Sequence, residues 1–157
     1  MSITKILSRG ISTLPAGSVL QVVMGTTSTE ASSSSTTFAD TNLTANITPS
    51  STSSKVLVLV SQNGCRKTNA SGDNQLSLKL LRSSTNLITF CTQGGFTQTT
   101  LYNAFGSASC EYLDSPNTTS STTYKTQLAQ TTTSTAAVTV QTDSQATSTI
   151  MLIEIAG

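Results

Sequence analysis

The chain has 157 residues, a net charge of +1 and only 10% charged residues, against about 25% in an ordinary soluble domain. That length is one domain's worth, able to bury roughly 70% of its unfolded surface without a disulfide scaffold. So little charge, with no aromatic residues interleaved among the basic ones, argues against a nucleic-acid partner. No apolar run reaches the 18 residues of a membrane span, so no membrane partner is expected.

Serine and threonine make up roughly a third of the chain and form tracts such as 32–37 and 131–135 that look like low complexity. Disordered chains usually pair low hydrophobicity with high net charge. Here the mean hydropathy is +0.01, and the apolar residues come in short packets with clear ends, so an ordered fold is expected. Cys65, Cys91 and Cys110 are odd in number and lack CxxC spacing, which points to free thiols in a protein made in a reducing cytosol. The N-terminus lacks the apolar stretch of a signal peptide. The Asn-x-Ser/Thr triplets at Asn42, Asn46, Asn69 and Asn117 are then chance products of composition.

In chain order, residues 1–16 form an arm with Lys5, Arg9 and no acid, broken by Gly10 and Pro15. It reads either as a frayed terminus or as a docking arm for an acidic protein surface, with Lys5, Ile6, Leu7 and Arg9 as its contacts. Residues 17–157 form the domain. Its packets are 19–23, then Phe38 and 43–47 before Pro49, then 55–62 closed by Asn63-Gly64, a strong turn dipeptide. Ser71-Gly72-Asp73-Asn74 is a turn, and 75–80 alternates with leucines inward and Gln, Ser and Lys outward. Residues 86–91 read as its hairpin partner. Leu101–Phe105 is ambiguous, 111–113 runs into a Pro116 turn, and 124–128, 137–140 and 149–155 complete the series. Short β-branched strands about a dozen residues apart predict a single all-β sandwich of jelly-roll type behind an extended N-terminal arm.

Candidate chemistry is sparse. With no histidine, neither Ser-His-Asp nor Cys-His arrangements can be built. No phosphate-binding motif occurs, and scattered cysteines make a poor zinc site, so no metal or cofactor is expected. Glu111 and Asp114 are the closest acids in sequence, but three apart on a strand they project to opposite faces and read as solvent-facing acids flanking a turn. Asp73 reads as a turn former. Arg66, Lys67, Lys79 and Arg82 read as a solvated basic rim. The expectation is a protein that is not an enzyme, with polysaccharide cleavage by paired acids the remaining catalytic alternative.

The segments "GSVLQVV", "TNLTANITPSSTSSKVLVLVSQ", "YLDSPNTTSSTTYKTQ" and "STIMLIEIAG" together resemble small virion structural proteins of tailed bacteriophages of marine bacteria and cyanobacteria, over about 17–157. That resemblance implies a protein made in the host cytoplasm and carried on the exterior of the virion, assembled as a trimer with the major capsid protein or other virion proteins as partners. It brings no catalytic residues with it. A single domain without a fibrous shaft favours a capsid decoration (cement) protein. The alternative is a tail-fibre or knob tip, against which the 4% aromatic content with no Trp argues, because sugar-binding tips use aromatic side chains for stacking.

Two runs break the alternation expected of a half-wet strand: Val56, Leu57, Val58, Leu59, Val60, and Ile150, Met151, Leu152, Ile153 with Ile155 beyond Glu154. A strand apolar on both faces needs a second dry surface. These runs are expected to be neighbours facing the core on one side and a subunit interface on the other, with Val56–Val60, Ile150, Leu152, Ile153 and Ile155 as candidate interface residues. A loop or arm folded over the outer face is the other source of dryness.

Overall fold

The computed structural model describes residues 14–68, 74–97, 103–132 and 136–157. Ten strands run through them: β1 (Val19–Thr27), β2 (Ala31–Ser33), β3 (Ala39–Ile47), β4 (Lys55–Lys67), β5 (Leu76–Arg82), β6 (Thr85–Gly94), β7 (Asn103–Asp114), β8 (Thr122–Gln130), β9 (Val138–Val140) and β10 (Ser148–Ile155). One 3-10 turn, Thr142–Ser144, is the only helical element among the described residues. All pairings are antiparallel and fall into two sheets. Sheet A places β10 between β1 and β4, with β7 on the far side of β4 and the short β9 and β2 extending its other end; sheet B runs β3-β8-β5-β6.

Setting β2 and β9 aside, the eight longer strands pair first with last and inward from there: β1 with β10, β3 with β8, β4 with β7, β5 with β6. The chain is thus one long hairpin rolled up, closed by the β10–β4 and β5–β8 pairings. This is the jelly-roll wrap that the spacing of the packets predicts.

Alternation explains which side chains fill the space between the sheets. Leu43, Ala45 and Ile47 on β3, Val56, Val58 and Val60 on β4, and Ile150 and Leu152 on β10 join Leu80 and Tyr124 in one core cluster. Leu76, Leu78, Leu128, Val138, Val140 and Cys65 form most of a second. Between sheets lies a polar bridge. Thr41 Oγ1 sits 2.5 Å from Thr126 Oγ1, which donates to Gln62 Oε1 at 2.8 Å, and Gln62 Nε2 donates to Ser148 Oγ at 3.1 Å. Gln62 is fully buried, so its partners offset a desolvation cost that an unpaired amide would carry in full.

Several expectations are corrected. Asn63-Gly64 is not a turn: β4 continues to Lys67, because β7 keeps pairing with it as far as Asn103. The dipeptide instead sits in an irregular, bulged stretch, with Gly64 at φ 62°. A side chain there would come within 2.6 Å of the Thr142 backbone nitrogen. The ambiguous 101–105 stretch resolves as the start of β7 from Asn103, with Leu101 and Tyr102 outside the described residues. On β5 the leucines do point inward, but Ser77 is buried as well and donates to Cys91 O at 3.0 Å.

The solvated basic rim is also wrong. Lys67 is fully buried, with Nζ donating to Thr97 O at 3.2 Å, and Arg66 pairs with both Glu30 and Asp143 at 3.5 Å. Lys79 lies 3.7 Å from the centre of the Phe38 ring, a cation–π contact. Asp73 and the docking-arm residues Lys5, Ile6, Leu7 and Arg9 lie outside the described residues, as do most of the arm and of the 71–74 turn.

Candidate functional site

The two apolar runs lie side by side. β10 pairs with the first half of β4 so that Ile150 faces Val60, Leu152 faces Val58 and Ile153 faces Leu57. Burial settles the register: Val56, Val58, Val60, Ile150 and Leu152 are 0–4% exposed and belong to the core. These five are therefore not interface residues. Leu57, Leu59, Ile153 and Ile155 project from the other face of sheet A and are half-buried by their neighbours.

That outer face continues across both flanking strands. Val22 sits opposite Ile153 and Met24 opposite Met151 on one side; Leu113 sits opposite Leu57 on the other. Val19, Val22, Met24 and Leu113 are 53–60% exposed and account for four of the six large hydrophobic side chains most exposed among the described residues. Sequence inspection misses them because β1 and β7 read as unremarkable strands. Only the pairing register sets their side chains in line with those of β4 and β10.

Glu154, which interrupts the second run, faces inward and is fully buried. Its carboxylate accepts from Ser50 N at 2.7 Å, Ser50 Oγ at 2.6 Å and Gln21 Nε2 at 2.5 Å, tying the β3–β4 loop to β1 and β10. Burial alone would raise the carboxyl; the hydrogen bonds from Ser50 and Gln21 outweigh it and hold it down at about 2. The run thus stays apolar on its outward side without a break.

The acids examined for catalysis do not converge. Glu111 is exposed on the outer face, whereas Asp114 points inward and is buried, so the two take opposite faces as their spacing requires. Asp114 is not the solvent-facing acid expected of it. Both its oxygens accept from Arg82 Nη1 at 2.8 Å, and Tyr124 OH donates to Oδ2 at 2.6 Å. Burial, together with that bond to Asp114, pushes the Tyr124 phenol far above its usual range. Among the described residues no group of three His, Cys, Asp or Glu side chains is placed to hold a metal ion. All three cysteines are free, and burial pushes the Cys65 thiol up to about 12 and Cys110 to about 11, so neither is a ready nucleophile.

The outer face of sheet B is built differently. Asp40 on β3 pairs with Lys125 Nζ at 2.9 Å and accepts from Gln127 Nε2 at 2.8 Å. Burial works against its charge, but these bonds hold the carboxyl below its usual value. A shallow depression opens beside them, lined by Asn42, Leu43, Thr44 and Thr123 together with the Asp40–Lys125 pair. Thr44 and Thr123 spend their hydroxyls on Tyr124 O and Asn46 Oδ1.

No family model and no curated protein matches the chain. Among solved structures, it is similar in fold to VP2 of infectious bursal disease virus as seen in a subviral particle. The TM-score is 0.52 at 12% identity, over 100% of this chain and 38% of that one. A likeness to the viral particle of the same virus has a TM-score of 0.42 at 12% identity, over 100% of this chain and 40% of that chain. The chain spans well under half the length of these capsid proteins. At such identity the first likeness establishes the fold, a β-sandwich of the kind found in a viral capsid protein.

Proposed function

We propose that the protein is a structural component of a virion, and specifically a capsid decoration protein of a tailed bacteriophage that binds the outside of the shell. The observation that carries this reading is sheet A itself: a jelly-roll sheet whose core side is dry and whose outer side carries an apolar row across four strands. A surface of that kind serves assembly. The capsid-type fold and the resemblance of 17–157 to phage virion proteins support the same role. In this reading the arm, with Lys5, Ile6, Leu7 and Arg9, docks on shell subunits. The resemblance implies a trimer as the assembled form; the shape of the outer face of sheet A bears directly on that count.

Position in the particle tests the proposal. Labelled protein at many icosahedral sites supports decoration, whereas density at the tail alone would transfer the protein to a fibre or knob tip. Deleting residues 1–16 should leave the domain folded and lower its affinity for empty capsids; unchanged capsid binding would remove the arm from the mechanism. Glu111 and Asp114 stand on opposite faces, so substituting either should leave every measurable activity unchanged. Cleavage lost in such a variant would reinstate the enzymatic alternative.

A further inference from the structure

The outer face of sheet A carries three rows of side chains across its four long strands. The middle row is Val22, Ile153, Leu57 and Leu113; one flanking row is Met24, Met151, Leu59 and Glu111; the other is Val19, Ile155 and Lys55. Past the methionine row the face turns polar, at Thr26, Thr149, Ser61 and Ser109. With strands about 4.8 Å apart and same-face residues about 6.8 Å apart, the patch covers about 400 Å². Its only two charges sit in opposite flanking rows, about 14 Å apart along the strand direction. Lys55 Nζ donates to Ser115 Oγ at 2.8 Å, and no salt bridge among the described residues engages Glu111.

We propose that this face is a contact between two copies of the chain, related by a two-fold axis that lies in the contact plane along the middle row. That operation sets the middle row on itself and exchanges the flanking rows. Met24, Met151 and Leu59 of one copy then cover Val19, Ile155 and the Lys55 stem of the other. Each Lys55 comes within one strand's width of the other copy's Glu111, so both charges gain partners twice over. Flat sheet faces pack against each other in this way inside sandwiches.

Other occupants fit less well. Residues 1–16 carry two cations and no acid, so one positive charge would lie on a dry face with nothing to pair it. A three-fold ring needs a second apolar surface different from the first. The remaining large exposed hydrophobic side chains among the described residues are Leu14, at the entry to β1, and Phe96, after β6; neither makes a face.

A patch of about 400 Å² is half the usual contribution per partner to a stable complex. The free protein is therefore a concentration-dependent dimer, and the contact fills where copies are held close together, as on a particle. Sedimentation of purified protein from about 1 μM to about 1 mM spans the affinities expected of so small a contact. It should show monomer passing to dimer. Leu57→Asp, and separately Leu113→Asp, should weaken association about 100-fold or more while the thermal midpoint stays close to wild type. Lys55→Glu should weaken it about 10-fold, and combining it with Glu111→Lys should restore association. Monomer throughout the range, trimer as the first oligomer, or wild-type association in both aspartate variants would overturn the proposal. So would failure of the charge exchange to restore association, or loss of association on deleting residues 1–16. The measurement uses the purified chain alone, so its outcome is separate from whether the protein binds a shell.

Discussion

The two outer faces of the sandwich come from the same strand chemistry and end in opposite conditions. On sheet B, Asp40, Lys125 and Gln127 satisfy one another, Thr123 bonds Asn46, and Lys79 lies over Phe38, so the surface is closed within its own chain. On sheet A, the outward row Val22, Ile153, Leu57 and Leu113 and its neighbours Met24, Met151 and Leu59 are apolar, and Val19, Val22, Met24 and Leu113 are more than half exposed. A face whose polar groups are paired in water gains little by meeting a partner. A face of leucine, methionine and valine gains about 25 cal/mol for each Å² covered. The difference marks sheet A as the face on which the proposed assembly role rests.

The sharpest break of this comparison uses adjacent residues. Val58→Asp puts a charge into the core, at a cost of several kcal/mol against a total stability of about 5–15 kcal/mol, and should leave the chain unfolded by circular dichroism. Leu57→Asp, one position away on the outer face, should leave a folded protein with the same spectrum. Equal damage from both would erase the distinction between the two faces of β4.

Next in size is the buried pair at the end of the sandwich. Asp114→Ala leaves the Tyr124 hydroxyl without its acceptor and Arg82 with only Ser115 O, and should cost about 2 kcal/mol in denaturant unfolding. Tyr124→Phe should cost about 1 kcal/mol. An Asp114→Ala variant as stable as wild type would return Asp114 to the role of a surface acid.

Acid should act through Glu154. Its carboxyl is held at about 2 in the folded protein against an ordinary 4.5, so its contribution is complete above about pH 4.5 and is lost as the pH falls towards about 2. Thermal midpoints measured across that window should decline in the wild type and decline less in Glu154→Gln. Parallel curves would show that the loop bonds of Ser50 and Gln21 do not depend on the charge. The smallest effect is expected on sheet B. Asp40→Asn removes a partly exposed ion pair and should change stability by less than about 1 kcal/mol, with self-association unaltered.

Much of this molecule is written locally. The inward leucines of β5, the hairpin of β5 with β6 and the all-β class follow from period-two patterning and turn residues, which depend only on near neighbours in the chain. The Asn63-Gly64 dipeptide shows the limit. Its turn propensity is real, but β7 offers β4 a partner on both sides of it, and continued pairing turned the dipeptide into an irregularity within one strand. The buried acids show another limit, because Asp114 and Glu154 look like surface residues until Arg82, Tyr124, Ser50 and Gln21 arrive from distant positions.

The sequence by itself determined that β4 and β10 are apolar on both faces and that a second dry surface is needed. Only the tertiary structure decided which residues face out, because a one-residue change of register would exchange Val56, Val58 and Val60 with Leu57 and Leu59, and every one of these is apolar. Register comes from pairing between strands far apart in the chain, which places Ile153, 96 residues on, beside Leu57 and Leu113, 56 residues on, on its other side. A face assembled from four strands has no counterpart in any single stretch of sequence.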